Sequence, residues 1–189
     1  MTAKLTAVTG HAAFRANQAA AITAILRRES TLAILPTGGG KSVLYQLPAA
    51  LLPGLTIVIT PLTALLLEQL ARLPACLAGD CFRSGQSAAA VRGVEARLLA
   101  GEIDVLFVSP ERLLSDRFAT FMRTYAAGAG TDDGDGDGGG EVASASGGEE
   151  GGTDGDVVAA APASPPRLPV SLVVLDEAHC ISEWSHNFR

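Results

Sequence analysis

Residues Leu32 to Pro48, LAILPTGGGKSVLYQLP, decide the reading of this 189-residue chain. The apolar run Leu32 to Leu35 predicts a short buried strand that Pro36 ends. Thr37, Gly38, Gly39 and Gly40 then form a loop with almost no side chain, and Lys41 and Ser42 open a helix. Successive glycines let the backbone curl until its N–H groups converge on one concavity, where the helix N-terminus adds partial positive charge. The result is a phosphate cradle, in which Lys41 reaches the β- and γ-phosphates as a point charge and Ser42 offers a hydroxyl to Mg²⁺. The competing reading is a glycine-rich turn that binds nothing. Strand, glycines, Lys-Ser and helix in this order set it aside.

Outward from the loop, apolar strands alternate with amphipathic stretches. Asn17 to Arg28 has Ile22, Ile25 and Leu26 on one face and predicts a helix capped by Asn17. A helix follows the loop to about Leu47, LTIVIT from Leu55 is a second buried strand, and Pro61 starts the helix PLTALLLEQLARL. Cys81 and Phe82 fit a short strand, Ser87 to about Ala100 a helix, Ile103 to Val108 a third apolar strand, and Phe118 to Tyr125 a helix. Leu168 to Asp176, LPVSLVVLD, is the last strand. Such alternation implies an α/β fold, a parallel sheet with helices on both faces, and ligands bind such sheets at the carboxyl ends of their strands.

Composition divides the chain. Gly128 to Pro166 holds nine of the 20 acids, 12 of the 21 glycines and no Lys or Arg, so the rest has 14 bases against 11 acids. The net charge of −6 therefore belongs to one segment, and the remainder is mildly basic at +3. That segment buries too little apolar surface to offset its ordering entropy, so it is expected to be a disordered insertion within the domain. Asp133, Asp135 and Asp137 partly meet a calcium-loop spacing, but no glutamate stands at the twelfth position, and a solvated acidic loop is the better reading. The expected organisation is residues 1–127, the insertion 128–166, and the domain continued over 167–189.

Cys76, Cys81 and Cys180 lack metal-ligand or CxxC spacing and read as reduced thiols. Ser42 to Leu67 is uncharged at membrane-spanning length, but Pro48, Pro53, Gly54 and Pro61 cut it into short pieces, so a buried sheet explains it better and no membrane partner is expected.

Asp176 and Glu177 at the end of an apolar strand have a clear use opposite a phosphate loop. Asp176 holds Mg²⁺, Glu177 orients or deprotonates an attacking water, and His179 links the site to whatever moves. Phe14, Arg15 and Gln18, spaced F-R-x-x-Q, fit a plain amphipathic helix start when taken alone.

Together these stretches resemble the first RecA-like lobe of the RecQ family of ATP-dependent DNA helicases. LPTGGGKSVLYQLPA resembles that family's motif I, and LVVLDEAHCISEWSHNFR its motif II with the aromatic-rich loop. FRANQ is similar to motif 0, ITPLTALLLEQ to motif Ia, and FVSPERL to the following DNA-contact motif. The ending WSHNFR, with LPACLAGDCFRSG, looks closest to the Rothmund–Thomson-type branch. One departure is Leu35, where the general phosphate-loop pattern has glycine.

The resemblance implies ATP and Mg²⁺ as cofactors and single-stranded and forked DNA as partners. Phe14, Arg15 and Gln18 would frame and read adenine. Thr37, Gly38, Gly39, Gly40, Lys41 and Ser42 would hold the triphosphate, and Ser42 and Asp176 the metal. Lys41, Asp176, Glu177 and His179 would carry catalysis. Pro61, Thr63, Gln69, Ser84 and Ser109 would line single-stranded DNA, and Trp184 and Phe188 would couple it to hydrolysis, with core packing as the other reading of Trp184. The chain stops at Arg189, before the family's motifs III to VI and the second lobe that supplies an arginine finger, so the expectation is a fragment that binds ATP weakly at most and does not unwind DNA. A nuclear role in DNA repair, replication and recombination follows from the branch. Two other readings stay open: a non-catalytic nucleotide- or partner-binding module, and an RNA-directed DEAH-type ATPase. The acidic insertion would repel DNA, recruit a basic protein, or be tolerated as a loop.

Overall fold

The structure, a computed structural model, describes residues 1–36, 38–128 and 169–180. Its centre is a four-stranded parallel sheet in the order β2-β3-β1-β4. The strands are β1 (Leu55–Ile59), β2 (Gly79–Phe82), β3 (Val105–Val108) and β4 (Val170–Leu175). Seven α-helices accompany them: α1 (Thr2–Thr9), α2 (Gln18–Leu26), α3 (Val43–Leu51), α4 (Thr63–Ala71), α5 (Ala88–Leu99), α6 (Pro110–Leu113) and α7 (Asp116–Gly128).

Apart from Thr56, the central strands β1 and β3 are apolar, because both faces are covered. Leu55, Ile57 and Ile59 of β1 join Leu106 and Val108 of β3 under Val91, Val94 and Leu98 of α5 and Phe118 and Tyr125 of α7. On the other face Val58, Val105 and Phe107 pack with Tyr45 and Ala49 of α3 and Leu66 of α4. An outer layer forms where Leu5 of α1 and Ile22 of α2 bury against Val43 and Leu47 of α3. Helix α1 has no counterpart in the sequence reading, since its pattern is weakly amphipathic and its packing on α3 is what holds it. Helix α3 continues through Pro48 to Leu51, past the end expected near Leu47.

The segment Leu32 to Leu35 corrects an expectation. It forms no strand, and Leu32 and Ile34 are 82% and 85% exposed. An apolar run becomes a strand only where a sheet edge lies beside it, and none of the four strands pairs with these residues. On β4, the outermost strand, Val170, Val173 and Leu175 are likewise exposed, while Leu172 and Val174 pack on the α3–α4 side. The insertion over residues 129–166 and the aromatic loop with Trp184 and Phe188 lie outside the described residues. Among the described residues no helix is long and apolar enough to cross a membrane.

The register of β4 on β1 is tied at its start, where Leu55 N–H donates to Pro169 O at 2.8 Å. Gly54, at φ 125°, makes this approach possible, because a Cβ there would collide with Pro169 O. Burial predicts a steep contrast across the sheet. Leu106→Ala, at a fully buried position of β3, is expected to cost about 2–5 kcal/mol in chemical denaturation. Val173→Ala, at a 58% exposed position, is expected to stay within about 0.5 kcal/mol.

Candidate functional site

The carboxyl ends of the strands form one edge. In sheet order, Ser84 follows β2, Ser109 follows β3, Pro61 and Thr63 follow β1, and Asp176 follows β4. Asp176 is fixed by its backbone, whose N–H donates to Ile59 O at 2.9 Å. Opposite it, residues 38–42 turn into α3. Val43 N–H donates to Gly40 O at 3.3 Å and Leu44 N–H to Lys41 O at 2.9 Å, so the first helical turn begins inside the loop. Gly39 N–H is taken by Pro36 O at 2.9 Å, while Gly38, Gly40, Lys41 and Ser42, at a helix start whose amides have no carbonyl a turn behind them, border the cleft.

This pairing encloses a cleft of about 300 Å³, bordered by Gly38, Gly40, Lys41, Ser42, Asp176 and Glu177, and also by Gln69 of α4 and Arg72 just past its end. Lys41 Nζ lies 3.0 Å from Glu177 Oε1, and His179 Nδ1 lies 3.3 Å from Glu177 Oε2. Glu177 adopts φ 50°, a left-handed conformation unusual for a side-chain-bearing residue, and it aims the carboxylate across the cleft at the lysine. Phe14, Arg15 and Gln18 sit beside the loop. Arg15 Nη1 donates to Gly38 O, and Gln18 Nε2 donates to Gly39 O and Gly40 O at 3.2 and 3.1 Å. The other end of the Gln18 amide accepts Arg15 N–H at 2.8 Å.

Gln18 is 3% exposed, with its oxygen on Arg15 N–H and its NH₂ on the loop carbonyls, so it braces the cradle from behind. It also accounts for Gly40, which has φ 79° and where a Cβ would stand 2.6 Å from Gln18 Nε2. Because the carbonyls of residues 38–40 are taken up by Arg15 and Gln18, the loop's amide face is the one left for a ligand. Phe14 packs against the α1–α2–α3 cluster.

Of the remaining expected residues, Thr37 lies outside the described residues. Pro61 and Thr63 are half-buried and Ser84 exposed on the carboxyl edge. Ser109 is 1% exposed and its hydroxyl finds no partner among the described residues, so a strand on the surface does not reach it as folded here. Gln69 does not face outward along that edge. Its Nε2 donates to Asp176 Oδ2 at 2.6 Å and its Oε1 accepts Tyr45 OH at 3.3 Å. Tyr45 was not singled out by sequence, although it stands four residues after Lys41 and so shares its helix face. Burial first, and the Asp176 charge second, push its phenol above the ordinary tyrosine range.

The donor set suits a magnesium nucleotide. Mg²⁺ takes one or two protein oxygens and completes its shell with phosphates and water, so a single carboxylate and a hydroxyl suffice. Asp176 and Ser42 border the same cleft, and among the described residues no cluster of three His, Cys, Asp or Glu offers a denser metal cage. Bound Mg²⁺ would neutralise phosphate charge, while Lys41 would exchange Glu177 for a phosphate oxygen and free that carboxylate to orient water. Lys41→Ala is expected to lower the affinity of this chain for a fluorescent ATP analogue by at least about tenfold, since a charge-assisted contact of this kind is worth about 1.5–3 kcal/mol. Unchanged affinity would reject the cradle.

Comparison with known proteins gives this geometry a family. A family model described as DEAD/DEAH box helicase matches residues 15–125. The chain is 39% identical over its full length to ATP-dependent DNA helicase Q-like 5 of Arabidopsis thaliana, covering 16% of that protein. It is 35% identical over 95% of its length to ATP-dependent DNA helicase Q4 of Homo sapiens, covering 12% of it. It is 31% identical over 98% of its length to ATP-dependent DNA helicase RecQ of Pasteurella multocida, covering 23% of it. The chain thus spans less than a quarter of these relatives' lengths. With its phosphate loop, its Asp-Glu-Ala-His turn and this family match, the chain belongs to the DEAD/DEAH box helicases, and the relatives it aligns with along its whole length are helicases of the RecQ type.

Proposed function

We propose that this chain is the ATP- and DNA-binding first lobe of a RecQ-type 3′→5′ DNA helicase. The observation that carries the reading is the meeting of Lys41 and Glu177 across a cleft also bordered by Ser42 and Asp176. ATP enters with its phosphates on the amides of Gly38, Gly40, Lys41 and Ser42, Lys41 turns to the terminal phosphates, and Asp176 and Ser42 take the metal. Glu177, released from Lys41, aligns the attacking water. The RecQ assignment and its strand polarity rest on likeness to relatives named as DNA helicases.

Single-stranded DNA lies along the carboxyl edge, over Pro61, Thr63 and Ser84, and Trp184 and Phe188 couple its binding to hydrolysis. The edge is shared with Asp176, so strand binding and hydrolysis meet on neighbouring β1 and β4. A second lobe, contributed by a longer protein, closes on nucleotide and DNA and supplies a cation to the transition state. Without it, hydrolysis is slower by about 10³–10⁵-fold, the range seen for arginine fingers. Residues 128–166 act as an acidic insertion in the lobe, and the whole protein works in the nucleus on DNA repair, replication and recombination.

The test is steady-state ATP hydrolysis by the 189-residue chain with single-stranded DNA, with RNA and with neither. The expected result is slow turnover with little stimulation by either. Attached to the missing lobe, DNA but not RNA should stimulate it, and Glu177→Gln should keep ATP binding while removing turnover. Stimulation by RNA alone would transfer the chain to the RNA-directed ATPases, and undiminished turnover in Glu177→Gln would remove that residue from catalysis.

A further inference from the structure

We propose that Gln69 and Tyr45 form a positioning relay that holds the Asp176 carboxylate for magnesium, so that metal affinity is set from helix α4 and the hydrophobic core. This rests on the nucleotide-site reading above and adds to it a positioning role for two residues to which that reading gives none.

Gln69 Nε2 donates to Asp176 Oδ2 at 2.6 Å, while Asp176 Oδ1 accepts Glu177 N–H at 3.0 Å. Each carboxylate oxygen thus carries one hydrogen bond, which fixes the rotation of the group and leaves further lone pairs for a ligand. The Gln69 amide is itself oriented. Tyr45 OH donates to its oxygen at 3.3 Å, so its N–H₂ end is the one turned to Asp176. Tyr45 is anchored in turn: it is 4% exposed, and its ring meets Phe107 of β3 edge-on at 6.2 Å and 83°. The relay therefore runs from the buried sheet through α3 and α4 to Asp176, the first of the two carboxylates at the end of β4. Magnesium demands near-ideal octahedral geometry, so a carboxylate held in place binds it with less ordering cost than one free to rotate.

Helix α4 begins at Thr63 on the edge assigned to DNA and carries Gln69 near its other end. A shift of α4 on strand binding would move the Gln69 amide, and by thermodynamic reciprocity bound metal would alter the strand's affinity through the same contact.

The experiment titrates Mg²⁺ into the 189-residue chain at fixed ATP analogue, with parallel nucleotide binding in EDTA, for the unaltered chain, Gln69→Met and Tyr45→Phe. Outer-shell partners of metal ligands typically contribute about 10–100-fold to metal affinity. Gln69→Met is therefore expected to weaken apparent Mg²⁺ affinity by about tenfold or more, with metal-free nucleotide affinity within about twofold. Tyr45→Phe, which keeps the ring packing, is expected to produce a smaller loss of the same kind. Unchanged Mg²⁺ affinity in both variants, or an equal loss with and without metal, would overturn the relay. Absence of Mg²⁺-dependent binding in the unaltered chain would instead overturn the nucleotide site itself, and the relay with it.

Discussion

The pairing of β4 with β1 is the constraint on which the site depends. It joins segments 116 residues apart, as the Ser171 hydroxyl on Leu55 O illustrates, and it sets Leu175 beside Ile59. One residue further, Asp176 bonds Ile59 O and the chain turns so that Glu177 faces Lys41. A slip of one residue would turn Leu172 and Val174 out of the α3–α4 core and carry both carboxylates away from the phosphate loop. Loop-closure entropy grows only slowly with loop length, so a long excursion between β3 and β4 is compatible with this register.

The second constraint is the bracing of the loop. A glycine-rich segment loses much backbone freedom on ordering, and something must hold its carbonyls for its amides to remain available. Arg15 and Gln18 do this from the start of α2, which α1 and α3 clamp through Leu5, Ile22 and Leu47. The FRANQ stretch is thereby part of the phosphate site's architecture. Across the cleft, Lys41 and Glu177 each satisfy the other, so a bound nucleotide would exchange one ion pair of the lysine for another.

Much of this was legible in the sequence. The runs around Ile57 and Leu106 announced a parallel sheet because strands buried on both faces need no polar alternation, the run around Val173 announced a further strand whose outer face proves exposed, and GGGKS with DEAH announced the two halves of the cleft. What escaped depends on distances that periodicity does not carry. Leu32 to Leu35 has strand composition, yet none of the four strands pairs with it. Gln69 lies in a stretch assigned to DNA by resemblance, but its side chain turns inward to Asp176. Tyr45 looks like an ordinary aromatic in an apolar helix until β4 brings Asp176 to Gln69. Gln18 carries the same lesson, since the spacing marks the residue while only the fold reveals that its amide is committed to Gly39 and Gly40.

The measurement that tests the account most directly is calorimetric binding of ATP to the 189-residue chain, with Mg²⁺ and with EDTA. Saturable one-to-one binding that Mg²⁺ strengthens is the predicted result, because the amide cradle, Lys41 and the Asp176 carboxylate then act on one ligand. Absence of binding, or binding indifferent to Mg²⁺, would contradict it and leave the fold standing without a nucleotide site.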